Sequence, residues 1–336
     1  MTATLPTTRT LTGFTPTGRL HLGNLLGAIQ PIVAAQRDTD TVVFLADLHA
    51  LTVTHEPAEV RARTIEQAAL LLAAGLDPVR ALLYAQSQVS AHTELHYLLE
   101  CATGVGEAQR MIQFKEKATR QRYVRLSLLT YPVLMAADIL LHDAQEVPVG
   151  ADQSQHVELT RDVATRFNAR YGPTFVVPRA VHPRTAARVM DLAEPTAKMS
   201  KSSASDAGTL FLLDSPDTIR RKVQRAVTDS ATVVAYEPAT RPGVANLLEI
   251  LAACTEGSPV ALAEQFPSYD GLKRAVVDAV VATLRPLQAR HAELAGDPGY
   301  IRRVLAGGAE QARERTAERV RRAKEAIGLL DPAPSI

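Results

Sequence analysis

The sequence predicts an α/β fold, a parallel sheet with helices on both faces, followed by an all-helical region. Three observations predict it. Short apolar runs alternate with longer helical patterns through the first half of the 336 residues, and strands separated by helices of that length pair in parallel. The stretch Pro16 to Asn24 joins the first strand to the first helix through a glycine-bearing turn. From about residue 218 onward the apolar spacing is helical almost throughout. A chain this long can bury a large core, with two domains as the natural expectation.

The expected strands are 11–14, 41–46, 81–86, 146–149 and 174–178, and the helices between them 22–37, 58–74, 93–101, 122–142 and 153–170. Pro31 should kink or shorten the first helix. The polar run 104–123 interrupts the alternation and reads as an insertion between two halves of the sheet. Residues 202–208 are small and polar and read as a mobile loop. Helices are then expected at 218–227, 244–255, 271–294 and about 310–327, punctuated by Pro-Gly pairs and by Gly307-Gly308, with a frayed tail from Asp331. The last helix carries alternating Arg and Glu at helical spacing, which reads as a salt-bridged solvent face.

Composition narrows the class. Apolar content is 46% and charged content 22%, ordinary for a globular protein. The formal net charge of +1 advertises no global field for nucleic acid. Neither a membrane nor a DNA partner is expected, and no apolar signal core opens the chain. Cys101 and Cys254 lie in apolar helical patterns without metal-ligand neighbours, and read as reduced core residues of a cytoplasmic protein.

Four places concentrate chemistry. In Pro16–Asn24, glycines at 18 and 23 let a phosphate approach the backbone, and His21 and Asn24 share one side of the first helical turn. From this stretch alone an ordinary strand-turn-helix connection is the better reading, since the spacing matches neither the P-loop nor the usual dinucleotide turn. In Lys198-Met199-Ser200-Lys201-Ser202, ammonium and hydroxyl donors suited to phosphate crowd into five residues. On the apolar helix 122–142, Tyr131, Met135 and Asp138 project from one face. An acid there needs a donor such as an indole N–H, a phenol O–H or a group of the protein itself. Finally Gly150-Ala151-Asp152-Gln153 follows the strand holding Val147 and Val149, at the carboxyl edge of the sheet where open α/β folds bind ligands. Capping is an equally plausible role for Asp152 and for His49, and His156 reads as a structural hydrogen-bonder.

In their order and spacing, PTGRLHLGN (16–24), ADLHALT (46–52), GEAQRMIQFKEK (106–117), LLTYPVLMAADILL (128–141), VPVGADQSQHVELTRDVATRFN (147–168), KMSKS (198–202) and AVTDS (226–230) resemble the class I aminoacyl-tRNA synthetases, specifically the bacterial tryptophanyl family. The resemblance runs from Gly13 to about Gly328. It implies a Rossmann-like catalytic domain over 1–200 with a dimer-interface insertion at about 104–145. A helical anticodon-binding domain over 201–300 and a terminal helix over 301–330 packing back on the first domain would follow. The implied partners are L-tryptophan, ATP with Mg²⁺, tRNA(Trp) and a second copy of the chain, with no metal site made by protein alone.

Residue by residue, the resemblance assigns Thr15, Thr17, His21, Gly23, Asn24, Gly150, Asp152, Lys198, Met199, Ser200 and Lys201 to ATP. The charge-stabilising residues would be Lys117, Lys198, Ser200 and Lys201. Leu11, Gly13, His49, Gln113, Tyr131, Met135, Asp138, Val147, Val149 and Gln153 would bind tryptophan, Asp138 accepting the indole N–H and Tyr131 and Gln153 holding the ammonium. The attacking carboxylate is already ionised, so positioning and charge stabilisation carry the implied first step, with no general base. Leu11 stands where the family often has Phe, Thr15 where it has Gln, His21 where Thr is common and Ala151 where an acid is typical. The first two changes imply an altered response to tryptophan-like inhibitors. Two other readings share many of these residues. One is a tyrosyl-tRNA synthetase, whose phenol Asp138 could equally accept. The other is a catalytically reduced paralogue acting as a tryptophan sensor or partner protein.

Overall fold

The computed structural model describes residues 8–119, 122–150, 153–181, 189–200, 205–231 and 233–330. Five strands form one parallel sheet: β1 (Arg9–Phe14), β2 (Asp40–Leu45), β3 (Ala81–Ala85), β4 (Glu146–Pro148) and β5 (Arg179–Val181), in the order β3-β2-β1-β4-β5. β1 and β2 pair along their length, Arg9 facing Asp40 and Phe14 facing Leu45. β1 meets β4 at Thr10 and Glu146 alone. Strand order reverses between these two, and their carboxyl ends open the crevice that such sheets use for ligands. The fifth strand lies later than 174–178, because Asn168 captures Thr174 and Phe175 first: its Oδ1 accepts both backbone N–H groups and its Nδ2 donates to the Phe175 carbonyl.

Alternation along the strands divides the core. Val43, Leu45 and Leu83 face one side, with α1 (Leu22–Asn24), α2 (Gln30–Ala35) and α4 (Pro57–Ala73). Leu11, Val42, Phe44, Leu82 and Tyr84 face the other, where α5 (Ala91–Glu100), α8 (Leu126–Leu141) and α9 (Ser154–Tyr171) pack together. The first helix is broken as Pro31 requires. A π-turn over Leu25–Ile29 links α1 to α2, closed by Gln30 N–H donating to the Leu25 carbonyl. The π register sits just before the proline, which has no N–H to continue the ordinary ladder. A short α3 (Asp47–Ala50) follows β2, and the insertion folds as α6 (Val105–Arg110) and α7 (Ile112–Ala118).

Beyond the sheet come α10 (Pro216–Gln224), α11 (Pro242–Thr255), α12 (Pro259–Ala263), α13 (Tyr269–Ala295) and α14 (Pro298–Ala326). Their core is continuous with the first sheet face: Val223, Leu248, Val276 and Leu284 belong to the same buried cluster as Leu70 and Leu83. Gly307-Gly308 does not punctuate the helices; both residues lie inside α14. There α14 crosses β3 so closely that a methyl on Gly308 would sit 1.9 Å from the Leu83 carbonyl oxygen. The basic face of α14 is only partly solvent-directed. Arg313 and Arg321 pair within the helix with Glu310, Glu318 and Glu325. Arg315, Arg319 and Lys324 reach Asp40, Asp143 and Glu94 of the sheet half instead.

Both cysteines are free, as expected, but neither is fully buried in the core: Cys101 is exposed and Cys254 half-buried. Cys101 ends α5, where the apolar stripe has already turned to Leu98 and Leu99, and lines a cleft of about 380 Å³ with Glu107, Arg166 and Tyr171. No helix among the described residues is long and apolar enough to cross a membrane.

Candidate active site

Two clusters meet at the crevice between β1 and β4. The first is the turn after β1. The Thr15 carbonyl accepts Thr17 N–H at 2.8 Å and the buried Gln67 Nε2 at 3.2 Å. Gly18 takes φ +65°, a conformation that suits glycine. His21 then caps α1, its N–H donating to Asn24 Oδ1 at 3.1 Å. The spacing of three between them thus closes the first helical turn. His21 is buried, while Thr15, Thr17, Gly23 and Asn24 are half-buried.

A strap from later in the chain fixes this turn. Leu22 N–H donates to the Leu210 carbonyl at 2.8 Å and Leu212 N–H to the Leu20 carbonyl at 3.0 Å. Arg19 lies 4.0 Å above the Phe211 ring and pairs with Asp214 at 3.3 Å, which also takes the buried Lys222 at 2.7 Å. The lysine-serine segment rises from a hairpin beside it. Met190 bridges Lys198, and Met199 N–H donates to the Val189 carbonyl at 3.1 Å. Asn246 of α11 grips both backbone groups of Met190 at 2.9 and 3.0 Å. Val189 lies against α1, its Cβ 3.5 Å from where a methyl on Gly23 would stand. Two signatures 174 positions apart in sequence, from Asn24 to Lys198, are therefore neighbours. Met199 is buried; Lys198 is exposed and Ser200 half-buried. The expected mobile loop is anchored at its far end, where Gly208 is buried and Thr209 Oγ1 donates to Asp191 at 3.4 Å. Lys201, Ala151 and Asp152 fall outside the described residues.

The second cluster is apolar with one acid at its base. Leu11, Val147, Met135 and Val149 pack in the same cluster as Phe44 and Tyr84. Asp138, 1% exposed, receives three side-chain donors: His49 Nε2 at 2.8 Å on Oδ2, and Gln86 Nε2 and His92 Nδ1, both at 2.6 Å, on Oδ1. Burial pushes this carboxyl up, but the donors from His49 and His92 outweigh it and hold it well below the usual carboxylate range. The ring of His49 stands 6.2 Å from Tyr131, edge to face. Tyr131 Oη meets His156 Nε2 at 3.0 Å, so His156 is the structural hydrogen-bonder its spacing suggests. Lys117 Nζ of α7 lies 5.3 Å from the centre of the Tyr131 ring, joining the insertion to this cluster. Ile112 N–H to Gln155 Oε1, at 2.9 Å, pins α7 beside the start of α9, with Gln113 half-buried next to it. Gln153 caps α9 and donates its N–H to the Gly150 carbonyl at 2.9 Å. Gly13 and Gly150 are exposed at the crevice.

Several residues here were not legible beforehand. Gln86, His92, Tyr84 and His142 form the polar backing of Asp138, and Gln67, Asn246 and Asp191 brace the glycine turn and the lysine hairpin. Only Gln86, first after an apolar strand and so at the ligand edge, carried a positional signal. Among the described residues no three His, Cys, Asp or Glu side chains gather as a metal cage.

The model of the tRNA synthetases class I (W and Y) family matches residues 5–284. The chain is 56% identical over 330 residues to tryptophan–tRNA ligase 1 of Streptomyces coelicolor, covering 97% of this chain and 98% of that one. Its fold matches tryptophanyl-tRNA synthetase from Mycoplasma pneumoniae with a TM-score of 0.90 and 35% identity, covering 96% and 98% of the two chains. The Campylobacter jejuni synthetase solved with ADP and tryptophan matches at 0.83 and 32%, covering 96% and 100%.

Proposed function

The chain belongs to the class I tRNA synthetases of the W and Y family, and from that premise we infer that it is a tryptophan–tRNA ligase. It uses ATP to convert L-tryptophan to the adenylate with release of pyrophosphate, then transfers tryptophan to the 3′ end of tRNA(Trp). The observation that carries this reading is the buried Asp138 acceptor under a wall of Leu11, Met135, Val147 and Val149, beside a glycine turn and a lysine hairpin. An apolar slot with a fixed acceptor suits indole, which presents one N–H on a flat apolar ring.

The assigned roles follow. Oδ2 of Asp138 takes the indole N–H, and Tyr131 with Gln153 holds the ammonium. This leaves the substrate carboxylate pointing along the crevice toward the turn. The N-terminus of the helix begun by α1, with His21 and Asn24, receives the nucleotide together with Thr15, Thr17, Gly23, Gly150 and Asp152. Lys117, Lys198, Ser200 and Lys201, beside Met199, stabilise charge on the departing pyrophosphate. Magnesium enters as part of the ATP substrate, on its phosphates. Donors on exposed stems, such as Lys198, can close on the leaving group once ATP is present.

Our reading extends to assembly. The catalytic unit spans about 1–200, the anticodon-binding unit 201–300 and the returning helix 301–330. Large apolar side chains are exposed along 97–126, namely Tyr97, Val105, Ile112, Tyr123, Val124 and Leu126. A surface of that kind supports a homodimer through the insertion at about 104–145. The protein acts in the cytoplasm, where tRNA and ATP are supplied.

ATP–pyrophosphate exchange with tryptophan, tyrosine and phenylalanine supplied separately, followed by charging of tRNA, tests the reading. Exchange is expected with tryptophan. Exchange with tyrosine alone would return the tyrosyl alternative, and none with any of the three would return the sensor.

A further inference from the structure

Behind Asp138 runs a buried polar chain that the assigned roles do not use. His92 Nδ1 touches Asp138 Oδ1 at 2.6 Å, and its Nε2 meets Tyr84 Oη at 2.8 Å. Tyr84 Oη also meets His142 Nε2 at 2.8 Å. Tyr84 and His92 are 0% exposed and His142 2%. Polar groups so deep are costly unless each is matched, and here the matches point one way. Burial, with the positive charge of Arg9 added, pushes His142 down to about 3, so its ring is neutral. Its Nε2–H then donates to Tyr84 Oη, the Tyr84 hydroxyl donates to His92 Nε2, and His92 Nδ1–H donates to Asp138. Gln86 is oriented likewise: its Oε1 accepts Leu48 N–H at 3.2 Å, which turns its Nε2 toward Oδ1. Oδ1 is thus fully engaged from the protein side. Among the described residues Oδ2 has only His49, a side chain at the rim of the crevice.

We propose that His92, braced by Tyr84, is a positioning residue for side-chain selection: it locks Oδ1 of Asp138 from behind, so that Oδ2 is presented as a fixed acceptor to the ring N–H of the substrate. The pair thereby sets the discrimination between aromatic amino acids that bear a ring donor and those that do not. This rests on the tryptophan reading of the pocket. The acceptor's orientation comes from β3 and α5, elements that need not touch substrate at all. A network satisfied in one direction also strengthens each of its bonds.

The test compares L-tryptophan with 3-benzothienyl-L-alanine, in which sulfur replaces the ring N–H, by ATP–pyrophosphate exchange. The parent should favour tryptophan by ~10²-fold or more in kcat/KM, as a buried acceptor left unpaired demands. His92→Phe keeps a ring and loses the donor. It should cut that ratio about tenfold, the worth of one bond to a charged group, through KM for tryptophan with KM for ATP unmoved. His92→Asn, whose amide can replace the Nδ1–H, should restore most of it. Tyr84→Phe, which loses only the hydroxyl, should lower the ratio about threefold. A parent-like ratio in His92→Phe overturns the proposal. Should that variant fail to fold, a parent-like ratio in Tyr84→Phe overturns it. A parent enzyme that handles both amino acids equally well overturns the reading of Asp138 itself.

Discussion

Asp138 and Lys198 stand at opposite extremes of the same crevice. The carboxylate is buried on the inner face of α8 and held by three side-chain donors, whereas the ammonium is exposed on a hairpin fixed through backbone bonds and the grip of Asn246. On the assignment proposed above, the amino-acid side is finished before any ligand arrives, while the phosphate side has its base fixed and the exposed Lys198 open to solvent. The difference follows from what each must do. Selecting a side chain needs an acceptor that cannot turn or take up a proton, and burial with matched donors supplies that. Stabilising a charge that exists only during reaction needs donors able to close on it and release it.

The contrast can be broken by substitution. Asp138→Asn should have the largest effect: kcat/KM for tryptophan falls ~10³-fold, because the site's polar groups lose their match. The amide also faces the donors of Gln86 and His92, so a fall in melting temperature should accompany the loss in exchange. A variant with parent-like melting and exchange within tenfold would contradict the buried clamp. Lys198→Ala should lower single-turnover activation ~10²-fold, the cost typical of one missing charge-stabilising donor, with melting temperature unchanged. A parallel fall in stability would make Lys198 a structural residue instead.

A pH series sharpens the same distinction. The unfolded state takes a proton on His142 near 6.5, while the folded state resists until about 3. The unfolded chain therefore binds more protons throughout that window. Stability from this site is complete above about pH 6.5 and declines as pH falls toward 3. Melting curves from pH 7 to 4 should show the decline, shallower in His142→Gln; equal slopes would contradict it. The smallest effect belongs to Thr15→Gln. It should move the inhibition constant of an indole-based analogue about threefold, the scale of one added hydrogen bond, and identical constants would confine Thr15 to the nucleotide.

Much of the architecture was legible because periodicity reports burial directly. Val42, Val43, Phe44 and Leu45 read as a strand buried on both faces, and each faces a core. Pro31 announced the break in the first helix, although not the π-turn that absorbs it. Gly307-Gly308 was misread because a glycine pair looks alike whether it ends a helix or lets one approach a strand, and only the carbonyl of Leu83 decides between the two. Cys101 was misread because α5 ends with that residue turned outward.

The sequence by itself determined the sheet-and-helix alternation, the glycine turn into the first helix and the face shared by Tyr131, Met135 and Asp138, since these rest on spacings of two to four residues along one chain. Only the tertiary structure decided what those groups touch. His92 of α5, braced by Tyr84 of β3, reaches Asp138, and Val189 brings the lysine hairpin against α1. Such pairings join residues tens to hundreds of positions apart. They follow from how the sheet stacks its layers, a consequence of burial that local spacing does not encode.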